Sequence, residues 1–101
     1  METPYMYLFV REDLSHPQQI VKTAHAVDVL NKKYPHNHDN HMVLCGASGE
    51  DALHSISELL TFEDIEHTMF FEPDVNSYTA IATRPLRGKE RKPLKRFNLK
   101  E

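Results

Sequence analysis

Apolar and polar positions along the chain switch repeatedly between two periods. Tyr5-Met6-Tyr7-Leu8-Phe9-Val10 is a continuous aromatic and β-branched run that stops at the charged Arg11-Glu12-Asp13, which predicts a buried first strand. The period then lengthens. Ile20, Ala24, Val27 and Leu30 recur at spacings of four, three and three, one apolar stripe of a helix. Ser15 is placed to cap that helix, with Pro17 in its first turn and Gln18 completing an S-x-x-Q capping box, and Pro35 stops it after about Tyr34. A polar linker follows, and His41 to Cys45 reads as a second strand. Gly46-Ala47-Ser48-Gly49 turns the chain, and Ser48 or Gly49 caps a second helix whose apolar face is Leu53, Ile56, Leu59 and Leu60, ending near Thr61. His67-Thr68-Met69-Phe70-Phe71 and Tyr78-Thr79-Ala80-Ile81-Ala82-Thr83 are two further strands, separated by the turn-forming Glu72-Pro73-Asp74-Val75-Asn76-Ser77.

The resulting order is β-α-β-α-β-β. Strands alternating with helices imply crossover connections and partly parallel pairing, so the expected class is α/β, a four-stranded mixed sheet flanked by helices. With 101 residues the chain has room for one domain and one core. No internal repeat or low-complexity segment interrupts it.

Composition excludes several classes. Apolar residues make up 40% of the chain, typical of a globular rather than a disordered protein. No apolar run approaches the roughly 20 residues needed to cross a bilayer, and the opening Met1-Glu2-Thr3-Pro4 lacks a basic segment followed by an apolar one, so no membrane and a cytoplasmic location are expected. The single cysteine, Cys45, permits neither an intrachain disulfide nor a thiolate metal cage and reads as a buried thiol in a strand. The net charge of −3 conceals an asymmetry: residues 1–83 carry 4 Lys/Arg against 13 Asp/Glu, and residues 84–101 carry 8 against 2. The basic segment, with Arg84, Arg87, Lys89, Arg91, Lys92, Lys95 and Arg96, is a candidate for neutralising phosphates, which would make binding salt-sensitive; the plainer reading is a solvated segment balancing an acidic body. Pro85, Gly88 and Pro93 preclude a long helix there.

Candidate chemistry gathers in two places. Arg11-Glu12-Asp13-Leu14 follows the first strand, and Glu72-Pro73-Asp74 precedes the last, so a fold that joined these ends would build one polar site. Gln18, Lys22 and His25 share a helix stripe and could face that site together. His36-Asn37-His38-Asp39-Asn40-His41 is a third cluster, but ligands scattered along a linker have no fixed geometry, and a surface loop is the simpler reading, with no metal expected.

Taken together, Arg11-Glu12-Asp13-Leu14, His25-Ala26, Glu72-Pro73-Asp74 and Thr79-Ala80-Ile81-Ala82 resemble the type-2 peptidyl-tRNA hydrolases, especially their small bacterial and phage branch; Arg96-Phe97-Asn98-Leu99 is similar to the end of those relatives. The resemblance spans nearly the whole chain. It implies that fold, a hydrolysis without metal or cofactor, a homodimer, and a substrate in which a peptide is esterified to the terminal ribose of tRNA. Ester cleavage needs a positioned water, a base and donors for the oxyanion. On this reading His25 is the base, Asp74 orients it or the water, and Thr79 donates a hydroxyl hydrogen bond, with Arg11, Asp13, Gln18, Gln19, Lys22 and Glu72 contacting substrate. One difference stands out: the family places a lysine near the helix start and a glutamine one turn later, whereas this chain has Gln18 and Gln19 first and Lys22 after them. That exchange favours a second reading, a non-catalytic module holding a nucleotide-like ligand in the same place.

Overall fold

In a computed structural model the structure describes residues 3–34 and 41–97. The elements are β1 (Tyr5–Arg11), α1 (His16–Lys33), β2 (His41–Ala47), α2 (Glu50–Phe62), β3 (His67–Glu72), β4 (Ser77–Thr83) and a short 3-10 helix (Gly88–Leu94). The four strands form one mixed sheet in the order β2-β1-β4-β3: β1 runs parallel to β2 and antiparallel to β4, and β3 to β4 is an antiparallel hairpin. The expected α/β class and element order therefore hold.

β1 is central and covered on both sides, which is why it is apolar without alternation. Tyr7 and Phe9 point to one face, where they meet Cys45, Ala47 and Ile81 and the α2 residues Leu53, Ile56 and Leu60. Met6 and Leu8 point to the other, against Phe70, Ala80 and Ala82 and the α1 residues Ala26 and Leu30. Burial of Cys45 pushes its thiol pKa up, so it stays protonated and inert.

α1 begins as its sequence indicates. Gln18 N–H donates to Ser15 Oγ, the Ser15 N–H donates to Gln18 Oε1, and Pro17 lies in the first turn. Its orientation differs from the expected stripe. Ile20 is 70% exposed and Ala24 is exposed as well, while Gln19, Lys22, Ala26 and Leu30 face inward. A helix with Ala and Val on several sides offers rival stripes of similar hydrophobicity, and here the inward one is chosen by polar anchors at its first two positions. Gln19 Nε2 donates to the Glu12 and Leu14 carbonyls, and Lys22 is ion-paired.

The turn after β2 is shorter than expected. Gly46 and Ala47 continue the strand, Gly49 caps α2, and no side chain serves as its cap. The basic segment is also no solvated tail. Leu86 bridges to Tyr5, Leu86 and Leu94 are buried, and the Phe97 ring meets Phe9 edge-on at 5.1 Å. Arg91 stacks 3.6 Å above the Tyr5 ring and donates to the Tyr7 hydroxyl at 2.9 Å. Gly88 has φ 54°, a left-handed turn that a side chain would strain. Among the described residues no helix is long and apolar enough to cross a membrane.

Candidate functional site

The α1 face and the β3–β4 hairpin meet in a row of charged side chains. Glu72 ends β3, and Asn76, in the left-handed region at φ 51°, brings the chain back into β4. Val75 N–H donates to Glu72 O and Asn76 N–H to Pro73 O, so the turn holds Asp74 outward over α1. Lys22 Nζ donates to both Asp74 carboxylate oxygens at 3.0 Å and lies 3.6 Å from Glu72 Oε2. His25, one turn further along α1, has its Nδ1 2.8 Å from Glu72 Oε1. Lys22 is 6% exposed, whereas the side chains of His25 and Asp74 are 51% and 63% exposed. A buried ammonium is thus held between two carboxylates, and a solvent-facing imidazole is oriented by one of them.

Electrostatics follow from that pairing. The hydrogen bond to Asp74, with Glu72 nearby, raises the Lys22 pKa above its ordinary value. The Lys22 ammonium in turn lowers that of Asp74. Lys22 is a fixed cation, and Glu72 bridges it to His25.

The imidazole is therefore matched by Glu72, not by Asp74 as the sequence reading expects. Glu72 stands in the last position of β3 and points across at α1, while Asp74 is two residues further round the turn and reaches Lys22 instead. Thr79 is not brought into the row. It is 0% exposed, and its hydroxyl donates to the Phe70 carbonyl beside the irregularity in the β3–β4 ladder. Gln18 is engaged in the capping box. Gln19 is buried against the β1–α1 connection, its Oε1 without a hydrogen-bond partner among the described residues.

Arg11 and Asp13 brace the site rather than face it. Arg11 binds Asp13 through two parallel hydrogen bonds of 2.9 and 2.8 Å, and its Nη1 donates to Ser77 Oγ at 2.7 Å and to the Tyr78 carbonyl at 3.2 Å. The end of β1 is thereby tied to the base of the hairpin that carries Glu72 and Asp74. Through this contact the Arg11 guanidinium lowers the Asp13 pKa, and the Asp13 carboxylate raises that of Arg11. Ser77 had no motif to mark it; only strand pairing reveals its role.

The basic residues lie elsewhere. The 3-10 helix docks at the Tyr5 end of β1, and the charged row lies at the Arg11 end, about 20 Å away at the usual rise of a strand. Lys22 and the basic segment therefore do not form one patch, because the chain folds back along the α2 face instead of crossing to α1. Within the segment Arg84 is paired with Glu90, which also accepts from the Arg87 N–H, and Arg91 is stacked on Tyr5, which leaves Arg87, Lys89, Lys92, Lys95 and Arg96 with exposed side chains outside the ion pairs of the described residues. Of the histidine-rich stretch, residues 35–40 lie outside the described residues; His41 opens β2, its ring 5.3 Å from that of Tyr5. Among the described residues no three His, Cys, Asp or Glu side chains gather as a metal site would require.

No protein-family model matches the chain, and no curated protein does. Among solved structures it is similar to a protein of unknown function, Atu0240, from Agrobacterium tumefaciens strain C58, with a TM-score of 0.71 and 16% identity over the whole of both chains. At that identity the likeness shows a shared fold and nothing of activity.

Proposed function

We propose that the chain is a peptidyl-tRNA hydrolase-like enzyme of the type-2 kind, cleaving the ester between a peptide and the 3′ end of tRNA in the cytoplasm, without metal or cofactor. The observation that carries this reading is the shared carboxylate: Glu72 takes His25 Nδ1 at 2.8 Å and lies 3.6 Å from Lys22 Nζ. With Nδ1–H donated to Glu72, His25 Nε2 presents its lone pair outward, where it takes a proton from the attacking water. Lys22 supplies the positive charge that the oxyanion of the tetrahedral intermediate requires, once the exposed Asp74 yields one of its two hydrogen bonds. The proton on His25 then passes to the ribose oxygen as it leaves.

Arg87, Lys89, Lys92, Lys95 and Arg96 would meet phosphates of the tRNA some distance from the ester, making affinity fall with salt. A homodimer belongs to the same proposal, and the exposed Ile20 and Val21 on the outer side of α1 are apolar surface available to it.

A second reading has its own support. Lys22 is saturated by two carboxylates and Thr79 is out of reach, which suits a module that retains a nucleotide-like ligand without cleaving it. Incubation with a defined peptidyl-tRNA, beside a nucleotide-binding screen, separates the two. Release of free peptide supports the enzyme; retained nucleotide with an intact ester supports the module.

A further inference from the structure

A serine and a histidine meet at the other end of β3. Ser57 lies in the middle of α2 and His67 opens β3; their Oγ and Nε2 are 2.7 Å apart. His67 Nδ1 lies 2.9 Å from the Ile65 carbonyl. A carbonyl only accepts, so Nδ1 carries the hydrogen of the neutral ring, Nε2 presents its lone pair, and the Ser57 hydroxyl donates to it. The ring is held from both sides. Ile65 itself is fixed by burial in the core and by its N–H bond to Leu60 O, and Asp64 makes the reversal with φ 60°. This arrangement of hydroxyl, imidazole and orienting acceptor is what an activated nucleophile requires.

His67 also lines an open surface cavity of about 330 Å³, together with Thr61, Asp64, Ile65, Glu66 and Arg84. Ser57 stands one helical turn before the lining residue Thr61, whose hydroxyl donates to the Ser57 carbonyl, and reaches the cavity through its bond to His67. Both Ser57 and His67 are partly exposed. The volume is at the lower end of small-molecule sites. It is distinct from the His25 row, since Glu72 and His67 occupy opposite ends of β3, about 17 Å apart at the usual strand rise.

We infer that Ser57 and His67 form a separate acyl-transfer site taking esters of small acyl groups. Ser57 Oγ attacks the acyl carbonyl carbon as its proton passes to His67 Nε2. The tetrahedral intermediate then expels the alcohol, which takes that proton, and leaves an acyl group on Ser57. Water attacks the acyl carbon, gives a proton to His67 Nε2, and the collapse releases the carboxylic acid as Ser57 regains its hydrogen. Arg84, on the cavity wall, supplies positive charge to the oxyanion once its guanidinium turns from Glu90 and the Pro85 carbonyl.

The test is reaction of the full chain with a fluorophosphonate, followed by peptide mass mapping, with 4-nitrophenyl acetate turnover measured in parallel. The expected result is one adduct, on Ser57 and not on Ser55, which is exposed on the same helix. Ser57→Ala should abolish labelling and remove the part of the 4-nitrophenyl acetate turnover that fluorophosphonate blocks in the wild type. His67→Gly should slow labelling at least ~100-fold, with partial rescue by added imidazole. Should His67→Gly fail to fold, the comparison is with a free peptide of residues 52–62, which the wild-type Ser57 should outreact by the same factor. An absent adduct, equal labelling of Ser55 and Ser57, a rate unchanged in folded His67→Gly, or a rate equal to that of the peptide would overturn the assignment.

Discussion

The two faces of the sheet are built from different material. On the α2 face, aromatic and branched side chains interlock in a dry cluster: Tyr7, Phe9 and Ile81 from the strands, Leu53, Ile56 and Leu60 from the helix, and Leu86 and Leu94 from the C-terminal segment. On the α1 face Met6, Leu8 and Phe70 meet Leu30, but Ala80, Ala82 and Ala26 are also there, and the first two inward positions of α1 are Gln19 and Lys22. The polar pair at the start of α1 is held by the hairpin and the β1–α1 connection. Most of the apolar burial and the buried charged row thus lie on opposite faces. The α2 face supplies most of the apolar burial, leaving the α1 face free to keep a buried ammonium, a burial that stabilises little by itself.

The largest expected effect breaks the dry face. Leu53 is 0% exposed, and Leu53→Ala should cost about 2–5 kcal/mol in urea unfolding through lost burial and a residual cavity. A cost under about 1 kcal/mol would mean that α2 is not the principal cover of the sheet. Next is Lys22→Met on the α1 face, which leaves the Glu72 carboxylate, 12% exposed, without its cation and should cost about 1–3 kcal/mol. Equal or greater stability would show that this face would accept an apolar helix as readily as the other.

The pH dependence sharpens the same contrast. Lys22 lowers the Asp74 pKa below its unfolded value, so the native state binds fewer protons than the unfolded one in acid. The contribution is present above about pH 3.8 and is lost as pH falls through the lower native value. For Lys22 the raised native pKa makes its contribution complete below 10.5 and lost as pH rises past the native value. Asp74→Asn should therefore flatten the acid limb of the unfolding midpoint against pH; an unaltered limb would place the acid sensitivity elsewhere. The smallest effect is expected at the solvent side of α1. At concentrations where the chain is monomeric, Ile20→Ser should shift stability by less than about 0.5 kcal/mol, and a core-sized loss there would turn the helix back to the stripe its sequence suggests.

Much of the architecture was legible because it is written locally. Ser15, Pro17 and Gln18 define the start of α1, Leu53, Ile56 and Leu60 define the face of α2, and the uninterrupted run from Tyr5 to Val10 marks the central strand. Rotation of α1 was not legible, because hydrophobicity alone does not place Lys22 indoors; its partner lies 52 residues away. The meeting of α1 with the hairpin was foreseeable from the polar clusters at the strand ends, but the choice of Glu72 over Asp74 as the partner of His25 depends on which residue ends β3. Docking of the basic segment rests on Phe97 against Phe9 and Leu86 against Tyr5, contacts between distant parts of the chain that no local pattern announces. The Ser57–His67 contact likewise needs the reversal at Asp64, which its sequence does not advertise.

The central claim is that His25 and Glu72 act as one unit in ester cleavage. Its most direct measurement is single-turnover release of peptide from peptidyl-tRNA by the wild type, His25→Ala, Glu72→Gln and the double variant. The account predicts that each single variant loses roughly 100-fold or more and that the double variant is no slower than His25→Ala alone. Full turnover in His25→Ala, or losses that simply multiply in the double variant, would contradict it.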